Sequence, residues 1–150
     1  MKKHFLVFAL FLFMGAGLIH AQVVRDLRIP KEGKLGDFTA WESKTVEFKD
    51  GSTAVIEYRI GLAKKVALGC HYDVEVKNNS QMKLDIELKS HYYDKLVKGN
   101  FGDKIKGSLK PEKSLTARFI AQGCKKEKGE TDDYAACAAC DFYVEIFVNK

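Results

Sequence analysis

Apolar and polar positions alternate with a period of two along most of this 150-residue chain. Val46 and Phe48 alternate with Glu47 and Lys49, and beyond Asp50-Gly51-Ser52 the apolar positions resume at Ala54, Ile56, Tyr58 and Ile60. Successive side chains of a strand leave opposite faces, so this spacing predicts two half-buried strands; a helix would repeat every three or four residues. A three-residue loop centred on Gly51 sets Phe48 opposite Ala54 and Val46 opposite Ile56.

The pattern is clearest between 72 and 88. Tyr72, Val74 and Val76 alternate with Asp73, Glu75 and Lys77, and Leu84, Ile86 and Leu88 follow the turn residues Asn78-Asn79-Ser80. A hairpin centred on Ser80 pairs Val76 with Leu84, Val74 with Ile86 and Tyr72 with Leu88, and a one-residue slip would set these apolar side chains against polar ones. Further strands are predicted around 104–109, 115–121 and 142–148. Between the last two, Thr131-Asp132-Asp133 offers an N-cap and first-turn acids ahead of Tyr134-Ala135-Ala136, which predicts a short helix near 131–139. About seven short strands with turns every ten or so residues predict an all-β, antiparallel, immunoglobulin-like β-sandwich. An up-and-down β-barrel is the alternative, although Phe38-Thr39-Ala40 before Trp41 lacks the Gly-x-Trp context that marks lipocalin-type barrels.

The first residues follow another rule. Met1-Lys2-Lys3-His4 is a positive start, residues 5–19 form an uncharged run rich in Phe and Leu, and Ala21 supplies a small residue at a cleavage site. Residues 1–21 therefore read as a cleaved signal peptide and residues 22–150 as one secreted domain, with secretion, a periplasm or the cell surface as destination. The run is shorter than the roughly 18–20 residues a spanning helix needs, and no later segment is apolar enough to cross a membrane. Loss of Lys2 and Lys3 lowers the formal charge of +5 by two. The charges that remain alternate in sign, unlike the basic stripe of a nucleic-acid binder.

Export changes the reading of Cys70, Cys124, Cys137 and Cys140. An even number of cysteines in an exported domain predicts disulfides. Four cysteines allow three connectivities, and strand parity favours Cys70–Cys140 in the core with Cys124–Cys137 across the loop. Cys137-Ala138-Ala139-Cys140 is also a C-x-x-C, the spacing of thiol–disulfide redox pairs. Reactive pairs place the first thiol at a helix N-terminus, whereas this one falls at the end of the predicted helix. A zinc site would need a second knuckle, and Cys70 and Cys124 are isolated. His71 and His91 lie near each other in the proposed register but with Lys89 between them, so no metal ligand and no cofactor is assigned.

The sequence carries no G-x-S-x-G and no H-E-x-x-H, and no catalytic residue is assigned. Asn78-Asn79-Ser80 matches a glycosylation sequon, which ordinary turn chemistry also explains. The lysine-rich stretch Lys125-Lys126-Glu127-Lys128 reads as a solvated loop, with contact to an anionic surface as the alternative. Of the consecutive Tyr92 and Tyr93 one must face away from the predicted core, as Tyr143, Phe147 and Ile120 do, and these five residues form a candidate binding patch. The expectation is a non-enzymatic binding or accessory module of the cell envelope, whose partner is a protein or a carbohydrate and not a nucleic acid. A barrel holding a small apolar ligand and a redox protein using the C-x-x-C are the two alternatives.

Overall fold

The computed structural model describes residues 21–126 and 128–150, so the proposed signal peptide lies outside the described residues except for Ala21. In chain order the first strands are β1 (Ala21–Leu27), β2 (Glu42–Glu47), β3 (Thr53–Val66), β4 (Gly69–Asn78) and β5 (Leu84–Asp94). They are followed by β6 (Gly99–Phe101), β7 (Lys104–Leu109), β8 (Ser114–Gln122), the helix α1 (Asp133–Ala138) and β9 (Tyr143–Asn149).

Alternation gives each strand one apolar face, and the chain buries those faces by packing two antiparallel sheets. One sheet has the order β2-β3-β4-β8; the other runs β1-β9-β5, with β6 and β7 pairing successive lengths of the remaining edge of β5. Ile56, Ile60, Leu62, Tyr72, Val74 and Val76 from the first sheet share a core with Leu84, Ile86, Leu88, Val144, Ile146 and Val148 from the second. Burying each such side chain is worth about 1.5–3 kcal/mol. The sandwich is thus the all-β architecture that the alternation predicts. Neither sheet closes into a barrel among the described residues, which overturns the barrel alternative and the interior ligand that went with it.

The strand partners differ from expectation. The segments 72–76 and 84–88 are not a hairpin: β4 pairs with β3 and β8, whereas β5 pairs with β7 and β9. The connection is an arch between sheets. It satisfies the same alternation, because two apolar faces can meet across the core as well as side by side. Asn78 builds the corner. Its Nδ2 donates to the carbonyls of Met82 (2.8 Å) and Leu109 (3.0 Å), and its Oδ1 accepts from the Ser80 amide at 2.9 Å. The side chain is fully buried, so the sequon is corner chemistry and its amide nitrogen is engaged.

The β2–β3 hairpin forms with Val46 opposite Ala54 rather than Ile56. Gly51, at φ +81°, takes the last loop position instead of the middle one, which moves the register by two and leaves every side chain on its predicted face. Strands β1 and β6 were not expected. The helix begins one residue later than its predicted cap: Asp132, not Thr131, accepts from the Tyr134 amide.

Candidate functional site

The register of β5 against β9 sets up the outer face of the second sheet. His91 is directly opposite Tyr143, and their rings stack at 4.7 Å with 15° between planes. Glu145, two residues along the same face, brings Oε2 to 2.8 Å from His91 Nε2. The Arg28 guanidinium lies 4.8 Å from the Tyr143 ring centre and donates to Asp141 at 2.7 Å. Burial lowers the Arg28 pKa, but the two carboxylates it contacts, Asp141 and Asp26, outweigh that and raise it, so the stack carries a permanent cation.

At the other edge of β5, β6 places Phe101 opposite Tyr92 and Asn100 opposite Tyr93. Phe101 and Tyr92 stack with centroids 5.8 Å apart, and the Phe101 ring lies over Gly99, where a Cβ would come within 3.1 Å of it. Phe101 nevertheless stays 46% exposed. Tyr92 packs against the core, where burial pushes its phenol pKa up and its hydroxyl meets the Gln122 backbone. Immediately after β6 the chain passes so close to β5 that a Cβ on Gly102 would lie 1.9 Å from the Ser90 carbonyl oxygen. Two shallow grooves of about 350 Å³ result. One is lined by His91, Tyr92, Asn100, Phe101, Asp141 and Tyr143, and the other runs from Phe101 past Asp103 towards Lys89 and Lys104. Aromatic edges and faces beside a carboxylate, an amide and an imidazole suit a ligand with an apolar face and peripheral hydroxyl or amide groups. A larger groove, about 570 Å³, lies between the edge strands β1 and β2, where Val23, Val24 and Tyr58 mix with Arg25, Lys44 and Glu47.

The predicted patch of Tyr92, Tyr93, Tyr143, Phe147 and Ile120 is therefore divided. Tyr92 and Tyr143 line the groove, and Tyr93 stands exposed beside it. Phe147 lies further along β9, beneath the Lys89 ammonium at 4.3 Å, and Ile120 is on the opposite sheet beside His71. His71 and His91 also belong to different sheets, which removes the adjacency that the hairpin implied. Among the described residues no cluster of three or more His, Cys, Asp or Glu is placed to hold a metal ion. Phe101, Asn100, Asp141 and Arg28 were missed. Their segments show no alternation, and glycines at 99 and 102 hid the short strand between them. A second aromatic cluster was missed for the same reason: the Arg59 guanidinium lies 4.5 Å from the Phe38 ring and 4.4 Å from that of Trp41.

The cysteines pair as Cys70–Cys137 and Cys124–Cys140, not as Cys70–Cys140 and Cys124–Cys137. Parity fails at Gly123, whose φ of +72° turns the chain out of β8 and carries Cys124 inward. Helix α1 then presents Cys137 to the end of β4, where the buried Tyr72 hydroxyl donates to the Cys137 carbonyl at 2.9 Å. The two cysteines of the C-x-x-C are thus bridged to separate strand ends and not to each other.

No known family model and no curated protein sequence matches this chain. Among solved structures, the trimeric lipoprotein SadB of Salmonella enterica aligns with 74% of this chain at 10% identity and a TM-score of 0.40. The alignment spans 56% of that protein's chain.

Proposed function

We propose that this protein is a non-catalytic, extracytoplasmic β-sandwich module that binds a carbohydrate in the groove between Phe101 and Tyr143. Two disulfides agree with the export read from the N-terminus, since such bridges persist in oxidising compartments. A structural use for the sheet charges supports a binding role over a catalytic one. Arg59 donates to Glu75 at 2.6 Å and Arg118 is bidentate to Asp73 at 2.7 Å, both cross-strand pairs.

The observation that carries the reading is the half-exposed Phe101 ring beside Asn100, Asp141 and His91. A sugar ring offers an apolar face to such an aromatic, and its hydroxyls are met by planar polar side chains at the rim. Binding to an oligosaccharide array, followed by titration of the retained glycan, tests it. Phe101→Ala should weaken binding by about tenfold, the scale of one lost aromatic stack, while the circular dichroism spectrum stays unchanged. Retention of full affinity in both Phe101→Ala and Asn100→Ala, or an array with no retained glycan, would refute the proposal.

A further inference from the structure

One end of the sandwich is built from three loops of a single chemistry, and none of them lines the groove. The β3–β4 hairpin reaches its apex through Lys64-Lys65-Val66, the end of β3, into the turn Ala67-Leu68, and the β5–β6 turn reads Lys95-Leu96-Val97-Lys98. The segment after β8 contributes Lys125, Lys126 and Lys128. They are neighbours. Gly69 pairs with Gln122 at the ends of β4 and β8, and residues 65–68 share a hollow of about 490 Å³ with Lys125 and Lys126. Gly123 packs so closely on the β5–β6 turn that a Cβ there would lie 2.2 Å from Asp94 Oδ1.

Hairpin apices normally hold Gly, Asn, Asp or Ser. Here they hold Leu68, 55% exposed, and Val97, 64% exposed, with Leu96 beside it. Asp94 at the base of the β5–β6 turn is buried, and its Oδ1 accepts from the amides of Leu96 (2.7 Å) and Val97 (3.2 Å). That carboxylate shapes the turn and so holds the apolar apex in place. Lys126 is tied to Asp133 at 2.9 Å. Even so, lysines exceed carboxylates across the three loops.

We propose that this end of the molecule docks on an anionic phospholipid bilayer. Leu68 and Val97 would enter the boundary between headgroups and acyl chains while the lysines meet lipid phosphates. Charge complementarity selects the anionic surface, and the apices select lipid. A soluble polyanion would engage the lysines and leave Leu68, Leu96 and Val97 in water. A flat protein partner would need one continuous apolar patch rather than residues raised on separate turns among lysines.

Co-sedimentation of the exported protein, disulfides intact, with phosphatidylcholine vesicles containing or lacking one third phosphatidylglycerol tests the proposal. The expected result is binding to the anionic vesicles alone, weakened by added salt. Leu68→Ser with Val97→Ser should weaken it about tenfold, and Lys125→Gln with Lys128→Gln roughly fivefold per lysine removed. No binding, or equal binding to both vesicle types, overturns the proposal without need of any variant. Unchanged vesicle affinity in the Leu68/Val97 protein also overturns it and points to a soluble polyanion, which binding to heparin would then report.

Discussion

Glu87 lies on the outer face of its sheet, yet it is almost completely buried because three lysines lie over it. Lys106, Lys89 and Lys104 bring their ammonium groups to 3.0, 3.2 and 3.9 Å from its carboxylate. Burial by itself raises the Glu87 pKa and is the largest single influence, but the lysines together outweigh it and hold the pKa below its ordinary value. A carboxyl with a depressed folded pKa stabilises the fold above its unfolded pKa of about 4.3, and that contribution disappears as the pH falls through the lower folded value. Glu87→Gln should therefore lower the urea midpoint at neutral pH, and its deficit relative to the parent should shrink steadily as the pH falls below about 4. A deficit that stays constant with pH would show that packing, not charge, is what Glu87 supplies. At this scale the sequence is read correctly for faces and less well for reasons. Glu87 alternates with Ile86 and Leu88 and so reads as a solvated charge, because the lysines of β7 that cover it come from a separate strand. Asn78 likewise reads as an exposed turn residue until Leu109 and Met82 close over it.

Among the elements, strand faces were legible and strand partners were not. Period two reports which side of a strand is apolar, and a hairpin and an arch leave the same apolar side buried. The β4–β5 connection and the two-residue shift of the β2–β3 register both preserve that side, so neither leaves a trace in the alternation. The disulfides depend on positions where strand parity ends, at Gly123 and in α1, and the predicted pairing failed there. Their loops differ in length: Cys70–Cys137 spans 67 residues and Cys124–Cys140 spans 16. On the chain-entropy account the longer loop stabilises by about 1 kcal/mol more. Replacing Cys70 and Cys137 together with Ala should accordingly depress the denaturation midpoint further than replacing Cys124 and Cys140. Trypsin, which cuts at lysines between Cys70 and Cys124, used together with an elastase-type protease that cuts between Ala138 and Ala139, would place Cys137 and Cys140 on separate cross-linked fragments for non-reducing mass spectrometry. A fragment joining Cys70 to Cys140 would contradict the pairing.

At the level of the whole molecule, sheet order decides which strands the fold depends on. The C-terminal strand β9 is interior: it lies between β1 and β5 and buries Val144, Ile146 and Val148 completely. β1 is an edge strand, and of its side chains only Leu27 is fully in the core. Ending the chain before Tyr143 should abolish the cooperative thermal transition, because β1 and β5 both lose their shared partner. Removing residues 22–26 should leave a folded protein with a lower Tm. Circular dichroism melts of both truncations check this, and a cooperative melt without β9 would contradict the sheet order. By itself the sequence determined the all-β class, since alternating apolar residues in short runs make strands with one apolar face to bury, whether by packing two sheets or by closing one into a barrel. It also determined the even set of cysteines and the inward side of most strands, because these follow from local spacing. Only the tertiary structure decided which strands pair, which cysteines bridge, and that Phe101 and Tyr143 flank one groove while Phe147 and Ile120 stand apart from it. It alone brought three lysine-bearing turns to one end. These are relations between residues far apart in the chain, set by how arches and crossovers route it between two sheets, and period two carries no record of that route.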